Sequence, residues 1–139
     1  MDTIPRKLVA DNAKVRERWE AQLRSDGIPA DEPYNALGAL ARVLVDLHSD
    51  SSVGLADVFQ AVERELVAAD ASTRNLLIVG FLEDLQNVSL NVGLPLDVWV
   101  ESLGPMSLAS WGILEGMWSG AVSPADLNAF VDATGIPER

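Results

Sequence analysis

Apolar residues recur every three or four positions along nearly the whole chain, and the strict alternation of a half-buried strand is almost absent. The pattern predicts helices and little else. Thr3 caps a first helix with Pro5 in its first turn. Leu8, Val15, Trp19 and Leu23 line one face of it, and Asp26-Gly27 stops it. The loop IPADEP leads to a second helix from about Pro33, with Tyr34, Leu37, Leu40, Ala41, Leu44 and Leu47 at helical spacing. After SDSSVG, a third helix over residues 55–69 sets Leu55, Val58, Phe59, Val62 and Leu66 on one stripe. This leaves Asp57, Glu63, Arg64 and Glu65 mostly solvated. A tight Asp70-Ala71 turn with Ser72 as cap opens a fourth helix over residues 73–88. Pro95 begins a fifth, carrying Leu96, Val98, Trp99, Val100 and Leu103, which Gly104-Pro105 ends. The sixth, over residues 107–119, is apolar nearly all round, with Leu108, Trp111, Ile113, Leu114, Met117 and Trp118 and the single charge Glu115. In the last, Ser123 is the N-cap, Pro124 is N1, Asp126 is N3, and Gly135 lies past the end.

These elements imply an all-α fold, a compact bundle of about seven short helices stacked as antiparallel hairpins. The 139 residues suit one domain, residues 1–139, made of a basic N-terminal helix (about 4–25) and an acidic helical body (about 33–135). Area scaling predicts a folded surface of roughly 7,000 Å². A hydrophobic content of 48% argues against disorder. Cysteine is absent, which removes disulfides, thiolate metal sites and a thiol nucleophile. The opening residues lack the apolar core of a signal peptide, and the longest apolar run, residues 76–82 with Gly80 inside it, is too short to span a bilayer. The expectation is a soluble, cytoplasmic protein with no membrane association.

Charge sharpens the picture. The first 25 residues carry net +2 and the remainder net −13. Between Arg74 and Arg139 there is no lysine, arginine or histidine, only acids: Glu83, Asp84, Asp97, Glu101, Glu115, Asp126, Asp132 and Glu138. Such asymmetry disfavours nucleic acid and anionic membranes and favours a basic protein partner.

Catalytic readings are weak. His48 is the sole imidazole and sits at a helix end near Asp46, Asp50 and several serines, where it suits the helix dipole better than a Ser/His/Asp triad. Glu63/Glu65 and Glu83/Asp84 are carboxylate neighbours whose side chains diverge on a helix. No metal or nucleotide motif is present, so neither metal nor cofactor is expected. Gly80, Gly112 and Gly116 lie inside helices, which fits close helix packing. Trp111 and Trp118, seven apart, share a helix face that is either core or interface.

The segment VFQAVERELVAADASTRNLLIVGFLEDLQN, residues 58–87, joins two amphipathic helices through a capped turn. With the later Leu103-Gly104-Pro105-Met106-Ser107 and Trp111, it resembles a motif of small acidic helical bacterial proteins in an uncharacterised-domain family, over about residues 55–118. Those proteins resemble toxin-immunity proteins, cytoplasmic antidotes to toxins exchanged between bacteria. The resemblance implies a stoichiometric inhibitor that occludes a cognate basic toxin or effector domain, with Glu83, Asp84, Gln86 and Asn87 falling on the motif. Charge and aromatic character add Asp97, Glu101 and Glu115, with Trp99 or Trp111 as anchors. The alternative is a structural or adaptor module that homodimerises through the apolar sixth helix. A small enzyme using Glu83 or Glu115 as an acid is a third.

Overall fold

A computed structural model describes residues 3–134. All regular structure among them is helical: α1 (Ile4–Val9), α2 (Ala13–Asp26), α3 (Pro33–Leu47), α4 (Ala56–Ala68), α5 (Ala71–Asn75), a π-helical segment (Leu76–Leu82), α6 (Glu83–Asn91), a 3₁₀ helix (Leu96–Ser102), α7 (Pro105–Ser119) and α8 (Pro124–Thr134). They pack as a compact bundle with a total surface of 7179 Å², close to the value expected from mass.

The predicted first helix is in fact two. Asn12 is buried and breaks it: its Oδ1 accepts the Val15 N–H at 3.0 Å, capping α2, while its Nδ2 donates to the carbonyls of Val53 and Gly54. One side chain thus caps a helix and ties it to a loop more than forty residues away. The other end matches the sequence reading, since Gly27 stops α2 at φ 67° in the left-handed region.

α3 is the axis of the fold. Every residue from Ala36 to Ala41 is buried, on all sides of the helix, because α2, α1 and the segment 71–91 all pack on it. Its small residues admit close neighbours; Trp19 of α2, fully buried, donates its indole N–H to the Ala36 carbonyl at 2.8 Å. α4 packs against α1 and α7, with Phe59 lying 5.7 Å from Trp99 and 6.4 Å from Phe81.

Residues 71–91 form one continuous helix. Its N-cap is Asp70, whose carboxylate accepts the Thr73 N–H at 2.8 Å; Ser72, expected in that role, lies inside the first turn. Arg74 is almost wholly buried beneath this turn, where α8 also packs. Its Nη1 donates to the Ala69 carbonyl at 3.0 Å, whereas Nε and Nη2 meet no acceptor among the described residues. Desolvation pulls its pKa down, partly offset by Asp70 and Asp132. The segment 96–102 coils as a 3₁₀ helix rather than an α-helix. In α8, Ser123 and Asp126 cap each other reciprocally at 3.1 and 3.2 Å, as Ser123-Pro124 predicts; Gly135 lies outside the described residues.

Candidate functional site

The π-helical turn packs directly on α3. A widened turn of this kind inserts a residue into the helical ladder and is common at functional positions. Gly80 sits within it because Tyr34 leaves no room: a Cβ at residue 80 would fall 2.8 Å from the Tyr34 Cδ1. The Tyr34 hydroxyl accepts a hydrogen bond from Asn75 Nδ2 at 2.7 Å, which pins the ring over the glycine. One turn further along both helices, Gly38 meets Asp84, with a Cβ at residue 38 falling 3.1 Å from Asp84 Oδ2. Two glycines therefore let a tyrosine and a carboxylate lie in the seam between α3 and the 71–91 helix.

Asp84 is half-buried there, and so is Glu83 beside it on the helix; among the described residues neither carboxylate has a hydrogen bond or ion pair. Desolvation raises the Glu83 pKa, and the neighbouring Asp84 charge raises it further. Desolvation raises Asp84 too, moderated by Arg42. Arg42 is the nearest cation on α3, but its Nη2 is committed to Asp26 at 2.8 Å. A carboxylate that loses hydration without gaining a donor weakens the free fold, and such groups concentrate where a ligand supplies the missing partner.

The remaining sequence-predicted contact residues divide by exposure. Gln86 is fully buried: its Nε2 donates to the Trp111 carbonyl at 3.1 Å and its Oε1 accepts the Trp118 indole N–H at 2.7 Å. Trp99 is buried against Phe59 and His48, donating to the Ser89 hydroxyl at 3.0 Å. Trp111 is buried as well, and its indole N–H meets no acceptor among the described residues. These three hold α6, α7 and the 3₁₀ helix together and present no surface to a partner in this conformation. Asn87, Asp97, Glu101 and Glu115 are exposed. Around them Val98, Val100, Leu108 and Trp118 are also exposed, Trp118 by 49%.

The basic N-terminal residues do not neutralise this acidic half. Among the described residues, Arg6 pairs with Glu20, Lys7 with Glu65, Arg18 with Asp46, and Arg64 with Asp11 and Glu65. Every acidic partner precedes residue 66, and no ion pair reaches Glu83, Asp84, Asp97, Glu101 or Glu115.

Sequence reading missed Tyr34, Gly38 and Arg42 as the facing wall of the seam. The two glycines inside strong helices were the available signal, since each weakens its helix unless something approaches closely. Gly80 fulfils the close-packing expectation against Tyr34 and Gly116 against Val122, whereas a Cβ at Gly112 would meet nothing within 4 Å. Glu63, expected to be solvated, is half-buried and bonded to the start of α7. His48 and Asp50 turn to separate partners, the Val45 carbonyl at 2.7 Å and Ser52 at 2.6 Å. Among the described residues, no three side chains converge as a metal ligand set, and no helix is long and apolar enough to cross a membrane.

Residues 5–118 match the family model described as Domain of unknown function (DUF7674), so the chain belongs to that family. No curated protein and no solved structure matches it.

Proposed function

We propose that this member of the family is a non-enzymatic binding protein for a basic protein partner, docking it through Glu83 and Asp84 at the α3 seam. The observation that carries this reading is a pair of adjacent, half-buried carboxylates that, among the described residues, accept no hydrogen bond and form no ion pair, Asp84 alone being partly offset by the charge of Arg42. An incoming arginine or lysine returns the solvation these groups lose on folding. The unpaired acids Asp97, Glu101 and Glu115 supply the long-range attraction that speeds encounter. Exposed Val98, Val100, Leu108 and Trp118 supply apolar contact that slows release.

The resemblance to immunity proteins narrows the class of partner to a toxin or effector domain with a cationic active-site cleft, neutralised one-to-one by occlusion in the cytoplasm. Capture from a lysate of the native bacterium tests the reading. The wild-type chain retains a basic protein stoichiometrically at about 50 mM salt and releases it as ionic strength rises. A Glu83→Gln/Asp84→Asn double variant retains much less. Recovery of no basic protein, or one indifferent both to salt and to the double variant, overturns the proposal.

A self-associating adaptor is the competing reading, favoured by the exposed Leu108 and Trp118 on α7. Trp111, deep in the core, contributes nothing to such an interface. Sedimentation of the isolated chain decides between them, since a monomer at high micromolar concentration removes the adaptor.

A further inference from the structure

Where α1 meets the last turn of α2, the chain leaves a groove of about 400 Å³ lined by Arg6, Glu20, Leu23, Arg24, Ile28 and Ala30. Its shape follows from the helix stop. Gly27, at φ 67°, reverses the chain; its N–H and that of Ile28 return to the Arg24 and Leu23 carbonyls at 3.3 and 2.9 Å. The loop thus folds back beside its own helix, and Leu23, buried, with half-buried Ile28 and Ala30 forms an apolar floor. The volume lies within the range of small-molecule sites, roughly 300–1,000 Å³.

The charges at the rim are unequal in their commitments. The Glu20 carboxylate is taken by Arg6 at 3.3 Å, and that guanidinium also lies 5.6 Å above the Trp19 ring. This pair carries no net charge. The Arg24 guanidinium has no hydrogen bond or ion pair among the described residues. In a chain of net charge −11, an uncommitted guanidinium beside an apolar floor is a local inversion of the surface. It offers an anion both parallel N–H donors of its fork.

We propose that this groove is a second binding site, distinct from the α3 seam, for a small amphipathic monocarboxylate. The carboxylate pairs with Arg24 and the aliphatic or aromatic body covers Leu23, Ile28 and Ala30. The site is independent of the partner reading above, since it shares no residue with Glu83, Asp84 or Tyr34.

The test is an amide ¹H–¹⁵N titration of the full chain with octanoate and, separately, octanol. Octanoate shifts the amides of residues 23–30 saturably, and octanol, with the same body and no charge, binds them at least tenfold more weakly. Arg24→Gln weakens octanoate about tenfold, and Arg24→Lys recovers part of the loss. Equal affinity for the two ligands overturns the proposal, and that comparison needs no variant. Shifts that never saturate, fall elsewhere, or survive Arg24→Gln unchanged also overturn it.

Discussion

Glu63 accepts two hydrogen bonds from Ser107, one from its backbone N–H and one from its hydroxyl, each at 2.9 Å, and so caps α7 from within α4. Its second oxygen takes the Met106 N–H at 3.0 Å. The orphan donors of a helix start are thereby satisfied by a carboxylate, which the helix dipole also favours. Gly104 completes the arrangement, since a Cβ there would fall 2.5 Å from the Glu63 Cδ. Its φ of −75° suits any residue, so the need for glycine is purely steric. Glu63→Ala is expected to destabilise the fold by about 2 kcal/mol, and Gly104→Ala by a similar amount through the same displaced carboxylate. Because both act on one contact, the double variant should cost little more than either single one. Additive losses in a denaturation cycle would show that Glu63 does not cap α7.

Gly80 and Tyr34 make a second steric pair whose sign depends on context. In an ordinary helix, alanine is better than glycine by about 1 kcal/mol. Here the added methyl meets the tyrosine ring and drives it off Asn75. Gly80→Ala should therefore destabilise the wild-type chain by about 1–3 kcal/mol. In a Tyr34→Ala background the same change should lose most of its cost, the remainder reporting on how far Leu76 Cδ1, 3.2 Å from the added carbon, can give way; the difference is read in the urea midpoints.

Gln86 bridges two tryptophans of α7, accepting from one and donating to the backbone of the other. Its replacement by leucine roughly keeps the volume and removes the acceptor of the part-buried Trp118 indole N–H, while the Trp111 carbonyl stays in the helical ladder of α7. A loss of about 1–2 kcal/mol is expected, with an unchanged denaturant slope. A neutral effect would mean that water replaces the amide.

The helices themselves were legible because a 3.6-residue apolar period survives whatever packs against it in α3 and α4, while α7 was marked by its apolar content and the start of α8 by its capping residues. What the sequence concealed depends on partners far along the chain. Asn12 breaks the first helix because Val53 and Gly54 need its donors, and no local pattern announces that. Glu63 reads as a solvated position because Ser107 is invisible from its own helix. The π-helical turn hides in an apolar run, Leu76–Leu82, that has no polar face to mark the change of phase. In the seam, the carboxylates of Glu83 and Asp84 were visible as motif residues, while the close approach of Asp84 to α3 depends on Gly38.

Arg74 provides a test of how a buried, half-satisfied charge contributes. An ion pair broken in a core costs about 3–5 kcal/mol, but among the described residues Arg74 has a single carbonyl acceptor and two nitrogens without one. Arg74→Met should leave stability within about 1 kcal/mol of wild type, or raise it. A loss as large as that expected of a core truncation such as Leu66→Ala, about 2–5 kcal/mol, would show that the guanidinium has partners that matter.

The two seam carboxylates make stability and binding respond to pH in opposite senses. Both have folded-state pKa values raised above the unfolded ones, so the folded chain holds their protons longer. Their contribution to stability is complete in acid, below the unfolded value of about 4, and is lost as pH rises through the folded values. Once ionised, Glu83 carries a burial cost that a neutral amide avoids, so Glu83→Gln should stabilise the chain toward neutral pH, by no more than about 1 kcal/mol because solvent screens a half-exposed group, with the gain vanishing in acid. Asp84→Asn should gain less, because the Arg42 charge already offsets part of its burial. Partner binding needs the ionised forms and should tighten across the same interval in which the isolated fold weakens. Thermal melts of both variants between pH 3 and 8 check the first half, and affinity for the captured basic partner over that range checks the second. If Glu83→Gln lowers stability at pH 7, the carboxylate already has a donor in the free protein, and the seam loses its claim to be waiting for one.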